Sequence, residues 1–404
     1  MGSRKLTNAS LLNYIFIIYS ILRLPLHMTM FSFDGKGRIL LFLTIIVFIQ
    51  NLNSRQFRNI AFSTPAIFWL GWIILSIVNL FIQGFRATGI TFGYFAILRL
   101  FSPFVVLTVT AYEYTKDSDR LTKYLLYAFI IYSIIGFFFL DNFYVAMQEG
   151  READATLGNL LALNTIFIAF FAGLRYNMGK ISLKTMYLLI LYSIFIITIS
   201  ATRKAFGAVI IIYLMTAISK MKLNANNIIK LFFVIGILYI GLEFVMENTF
   251  LGQRMNEIED ETMNIDVGNN LFLKAMGGRA FYYLIGWDVF LDNPILGVGI
   301  TNFRHYTGTE HMLHTEYMVQ LTECGIIGSI LFVCFYFQLI SKTIRVGKSI
   351  PNNKPRSIVI LGAVFAILFV SLTAWTYDFA FYFAVLGTVL GFIYDKNRVA
   401  QPKG

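Results

Sequence analysis

Charge is scarce in this chain. Asp, Glu, Lys and Arg together make up 14% of 404 residues, and 22 acidic side chains face 33 basic ones. So little charge beside 57% hydrophobic residues excludes a water-soluble globular surface, whose sequence usually carries about a quarter charged residues. The two cysteines exclude a disulfide framework: Cys324 and Cys334 fall on one expected helix, separated by about 15 Å of rise, too far to bond to each other. With seven prolines and no Pro-, Ser- or acid-rich tract, low-complexity linkers are excluded, and no repeat of fixed period marks an array. Histidine is rarer still, at four, and the spacing of His305, His311 and His314 matches no HExxH pattern. No cysteine stands near them, so neither a metal centre nor a cofactor is expected.

What the chain has in abundance is apolar length. Mean hydropathy is +0.68 and aromatics reach 17%, the composition of a polytopic integral membrane protein. A bilayer core asks for about 20 apolar residues per helix. Windows of that kind fall near Leu11 to Leu26, Arg38 to Leu52, Pro65 to Ile82, Ile90 to Tyr112, Tyr124 to Leu140 and Leu157 to Leu174. They continue near Ser182 to Ile199, Ala205 to Ile218, Ile228 to Met246, Met318 to Ile340, Ile358 to Trp375 and Phe379 to Tyr394. The expectation is an all-α fold of about 12 transmembrane helices forming a single membrane domain over residues 1–404. The basic start runs straight into the first span without a trusted cleavage site, so that span is expected to be retained.

The basic residues orient these spans. Most of the 33 Lys and Arg fall in short connections on one side, whereas most Asp and Glu fall on the other side or within spans. By the positive-inside rule both termini are cytoplasmic. The high pI is then a topology signal and implies no nucleic-acid partner. The segment from Glu247 to Tyr317 becomes one large extracytoplasmic loop, long enough to indicate function. Within it Arg279 to Leu291 has an amphipathic helical pattern, expected to rest on the membrane surface or cap the bundle. Asp292-Asn293-Pro294 reads as a helix stop, followed by a glycine turn at Gly297 and Gly299.

Basic residues on the disfavoured side or inside spans need an explanation. Arg99 lies within a span and Arg23 near the end of one, where snorkelling or a structural ion pair accounts for them as readily as function does. Arg203 and Lys204 sit in SATRKAF, a Ser-x-x-Arg turn at the mouth of a helix, where backbone donors and a guanidinium can meet a phosphate. Arg279 and Arg304 belong to the large loop. His305 and His311 read as ordinary surface groups. His314 precedes Thr315, Glu316 and Tyr317 where the chain re-enters the membrane, which places an imidazole at the water-lipid boundary, able to take a proton from an attacking hydroxyl.

Four segments carry a resemblance: ATLGNLLALN at Ala155 to Asn164, SATRKAF at Ser200 to Phe206, GGR with Trp287 and DNPILGVG, and HTEYMVQLTECGIIG leading into a span. In order and in their place around the large loop they resemble the O-antigen ligase and polymerase superfamily, over about the last three-fifths of the chain. The Leu-Leu after GN departs from the Pro-Asn often found there, with an Asn displaced to Asn164. The resemblance implies an inner-membrane glycosyltransferase, its active site facing the periplasm, that uses an undecaprenyl-diphosphate-linked glycan donor and needs no metal. The acceptor implied is a lipid-linked repeat for a polymerase or a lipid A-core sugar for a ligase. Carried over, Arg203 and Arg279 grip the diphosphate and His314 acts in catalysis. Lys204, Arg304, Arg99 and Tyr317 join them as candidate substrate-binding residues. The reading from a different class is a polysaccharide flippase, which about 12 spans would suit but which has no evident use for the large loop with its Arg and His.

Overall fold

The computed structural model describes residues 7–29, 38–83, 89–138, 152–200, 202–220, 279–308, 313, 315–350, 353–377 and 379–395. Among the described residues the architecture is all helical, without strands. In chain order the helices are α1 (Asn8–Thr29), α2 (Arg38–Leu52), α3 (Arg55–Ala61), α4 (Thr64–Gln83), α5 (Gly89–Lys116), α6 (Ser118–Phe137) and α7 (Glu152–Asn177). They continue with α8 (Leu183–Ile199), α9 (Arg203–Lys220), α10 (Arg279–Asp292), α11 (Phe303–Thr307), α12 (Glu316–Ser349), α13 (Lys354–Ser371) and α14 (Ala380–Tyr394).

These runs are helical because hydrocarbon offers no partner for backbone N–H and C=O, so each segment must satisfy its own. Polar residues set where they start. The side chains of Ser54, Asp117, Ser182 and Thr315 accept the N–H of Phe57, Arg120, Thr185 and Met318, three positions on, capping α3, α6, α8 and α12. Helices stand at eleven of the twelve expected positions; the window Ile228 to Met246 lies outside the described residues. Among the described residues fewer qualify as spans by length and composition: five, or six if α2 and α3 form one span bent by 118°. Two of the apolar elements, α8 and α14, are 17 and 15 residues long, short of the about 20 that a bilayer core asks for.

The helices pack around two aromatic clusters. Trp69 stacks on Trp72 and touches Phe335 and Phe383, tying α4, α12 and α14 together. Phe129, Phe167, Phe171 and Tyr382 do the same for α6, α7 and α14. Further out, α14 lies against α5, α9 along α13, and α12 against α4 and α13. Apolar side chains left exposed, such as Ile67, Ile74 and Phe81 on α4 or Ile330, Val333 and Phe337 on α12, form the lipid-facing perimeter.

One end of the bundle is basic and ion-paired. Glu113, buried, accepts from Asn13 at 2.7 Å and pairs with Lys116 at 2.7 Å. Arg175 and Lys180 both reach Asp119, at 3.1 and 3.0 Å, and Lys342 donates to the Tyr394 hydroxyl. At the opposite end α12 departs from a regular span. Gly325 breaks it with φ 64° and ψ −168°, where the sequence had suggested one continuous helix from Met318 to Ile340.

Candidate functional site

The break at Gly325 organises the end of the bundle where the motif segments meet. In an unbroken helix the N–H groups of Ile326 and Ile327 would bond the carbonyls of Thr322 and Glu323. Instead they donate to Pro294 (2.8 Å) and Ile295 (3.4 Å), and the freed carbonyls accept from Val298 and Gly299, each at 2.9 Å. The DNPILGVG segment is thus inserted into the helix backbone, and four backbone bonds replace two. That substitution is what makes a broken span tolerable where water cannot solvate it. Gly297 (φ 70°) and Gly325 are needed for contact as well as conformation: a Cβ on Gly297 would meet the Glu323 carbonyl carbon, and one on Gly325 the Ile295 carbonyl oxygen. Two side chains of α4 hold the insertion in place. Asn79 Nδ2 donates to the carbonyls of Leu296 and Glu323, and Gln83 Nε2 to that of Gly297.

The first turns of α12 carry a buried polar row, Glu316, Gln320 and Glu323, spaced to share one helix face. Glu316 is fully buried. Its Oε1 accepts from Gln320 Nε2 at 2.6 Å, and its Oε2 from the N–H groups of Thr376 and Tyr377 and from the Thr376 hydroxyl. Gln320 Oε1 accepts from Trp72 Nε1 at 2.6 Å. One carboxylate therefore fastens α4 and the α13–α14 connection to the start of α12, two residues beyond position 314. Glu323 serves the other side, its carboxylate accepting the N–H of Thr301 at 2.9 Å and facing that of Phe303.

The expected site residues distribute around this start. His314 itself lies outside the described residues, as does His311, while its neighbours Leu313 and Thr315 are buried. Tyr317 donates its hydroxyl to the Leu368 carbonyl at 3.0 Å, near the C-terminus of α13. Lys204 Nζ reaches the Thr373 carbonyl just beyond that terminus, at 3.4 Å. The SATRKAF turn is joined to α7 through Thr202, whose hydroxyl donates to Asn159 at 3.2 Å, so two of the motif segments touch. Arg203 opens α9 and Arg279 opens α10, but their side chains, like that of Arg99 on α5, lie outside the described ones. The α10 helix lies on the early turns of α12, where Gly286 faces Met318, Leu313 and Thr322. Arg304 and His305 are exposed on α11, beside Tyr306, which receives a bond from Asn293. Asn164 is buried and its amide bonds the Leu160 carbonyl of its own helix.

The structure thus brings Lys204, Tyr317 and the helix starts bearing Arg203 and residues 315–316 to the C-terminal end of α13, with α10 on the adjoining face of α12. Sequence reasoning missed Glu316, Gln320, Glu323, Asn79 and Gln83. The signal for the first three was present: polar residues at positions 316, 320 and 323 in an otherwise apolar run all fall on one face, and a membrane helix retains such groups only where they have partners.

A bundle of apolar helices of spanning length, one of them broken and sealed by a returning loop, defines a multi-pass integral membrane protein. Residues 188–333, from α8 into α12, match the family model described as O-Antigen ligase. Over that segment the chain is similar to the O-antigen ligase family. No curated protein matches the chain.

Proposed function

We propose that the protein transfers a glycan from an undecaprenyl-diphosphate carrier to a sugar hydroxyl at the outer face of the bacterial inner membrane, as a surface-polysaccharide polymerase. The observation that carries this reading is the meeting of the SATRKAF turn and the HTEY junction at the end of α13, where Lys204 and Tyr317 bond the carbonyls of Thr373 and Leu368. Arg203 and Arg279 stabilise the diphosphate as it departs, since its negative charge grows in the transition state. His314 removes the acceptor proton, because a sugar hydroxyl is too weak an acid to ionise at neutral pH. Lys204, Arg304, Arg99 and Tyr317 contact the glycan or the phosphates. Direct displacement inverts the anomeric centre and requires no metal. The basic end of the bundle, opposite the motif segments, supports by the positive-inside rule a reading with this chemistry outside, the loop 247–317 extracytoplasmic and both termini in the cytoplasm.

The ligase reading keeps the same donor and site and replaces the acceptor with a lipid A-core sugar. Purified protein incubated with a lipid-linked repeat separates the two on a gel: a ladder indicates polymerisation, and a single shifted acceptor band indicates ligation. A flippase would leave glycan length and carrier unchanged. Arg203→Ala, Arg279→Ala and His314→Ala proteins, each properly inserted, are expected to lose about 100-fold or more in rate. Wild-type amounts of product from all three would end this assignment.

A further inference from the structure

The turn between the inserted DNPILGVG segment and α11 is strained. Thr301 has φ 67°, and among the described residues it is the non-glycine residue in the left-handed region. A β-branched side chain is poorly suited to that conformation, which persists only where the surroundings over-determine it. Here they do. Glu323, only 6% exposed, accepts the Thr301 N–H at 2.9 Å through Oε2, while its own carbonyl accepts the N–H of Gly299. The same carboxylate faces the N–H of Phe303. Asn302 adds a side-chain bond to the Val298 carbonyl and a backbone bond to that of Gly299. One buried acidic residue of a membrane helix thus grips both ends of the strained turn, and Phe303, buried beyond it, anchors the next residue. A carboxylate is expensive to keep inside such a helix, and in α12 its described partners are the backbone donors of this turn.

The residues delivered by the turn are Arg304 and His305, both exposed at the end of the bundle that holds Lys204 and Tyr317. Among the described residues no salt bridge engages Arg304. We infer that Glu323 is a positioning residue: it locks the Thr301 turn so that Arg304 is presented to the phosphates of the lipid-linked donor. The inference rests on the donor proposed above. It adds a second carboxylate with a task unlike that of Glu316, which fastens helices rather than a ligand-bearing turn.

Glycine provides the test, because it occupies the left-handed region without strain. If Glu323 acts by holding Thr301 in place, Thr301→Gly should make it partly dispensable, whereas a carboxylate that merely filled the core would gain nothing from that change. Wild type, Glu323→Gln, Thr301→Gly, the double variant and Arg304→Ala would be reconstituted in nanodiscs. Each would be followed by amide hydrogen exchange over residues 299–307 and by steady-state kinetics in an undecaprenyl-diphosphate-linked repeat. Glu323→Gln should speed exchange of this segment about tenfold and raise the donor KM about tenfold, with kcat within twofold. The double variant should recover most of both, Thr301→Gly alone should resemble wild type, and Arg304→Ala should raise KM without altering exchange.

Unchanged exchange in Glu323→Gln, or a double variant no better than that single one, would overturn the lock. Faster exchange with an unchanged KM, or an unaltered KM in Arg304→Ala, would overturn the link to the donor. A wild-type protein that forms no product would instead remove the proposed function and the donor link with it, while the exchange pattern still decides whether Glu323 holds the turn.

Discussion

At the scale of single residues, the end of the bundle is built by three polar side chains in a helix that hydropathy reads as a span. Glu316 accepts hydrogen bonds from Gln320, Thr376 and Tyr377, so Glu316→Ala removes an acceptor from the N–H groups of Thr376 and Tyr377 and from the Gln320 amide. That change is expected to cost about 3 kcal/mol, seen as a lowered melting temperature in detergent, with Glu316→Gln recovering part of it. A melting temperature that did not move would mean the carboxylate holds nothing together. Arg304 is exposed, and its replacement by Ala should leave stability within about 0.5 kcal/mol, so its effect belongs to function alone. Sequence reasoning singled out Arg203, Arg279 and His314 because basic groups on the disfavoured side of a membrane protein stand out. It passed over Glu316 and Glu323 because their partners are backbone groups of distant segments, which no residue type announces.

At the scale of elements, helix positions were legible and helix irregularities were not. A span is an apolar run of sufficient length, and α2, read as Arg38 to Leu52, has those bounds in the structure. The 118° bend into α3 and the break at Gly325 depend on where backbone groups find partners, and periodicity does not encode this. Glycine is common in membrane helices, so Gly325 gave no warning. Gly325→Ala should be far more damaging than a glycine change within a regular helix, because its backbone angles are essentially reserved for glycine and its Cβ would strike the Ile295 carbonyl. A loss of about 3 kcal/mol in thermal unfolding is expected, and a neutral outcome would mean the insertion adapts freely. The expectation that α10 rests on the membrane also has a test at this scale. Its Leu284, Trp287 and Leu291 are exposed and lead to exposed Ile295, which abuts the lipid-facing Ile326 and Ile327 of α12. Trp69 and Trp72 are buried and Trp375 half-buried, so brominated lipids in the bilayer should quench Trp287 selectively, and Trp287→Phe should abolish most of that quenching. Equal quenching with and without Trp287 would lift α10 away from the lipid.

At the scale of the whole molecule, charge separates the two ends. Lys116, Arg175, Lys180, Lys220, Lys342 and Lys348 gather at one, and the motif segments at the other. In a Cys334→Ser background, a membrane-impermeant thiol reagent should label His305→Cys in spheroplasts and reach Lys348→Cys only after permeabilisation; the reverse pattern would invert the topology. That separation was readable from sequence because insertion itself responds to it. The joining of residues 79, 297 and 323 was not, since it depends on three segments docking only in the finished bundle. This joining fixes an order of biogenesis. When α12 leaves the translocation machinery, its early turns lack backbone partners until the chain just synthesised folds back into them, and that chain needs Asn79, made more than two hundred residues earlier, to hold it. Maturation of this end is therefore a closing step rather than an early one, and a nascent protein halted before it would expose the junction to quality-control proteases.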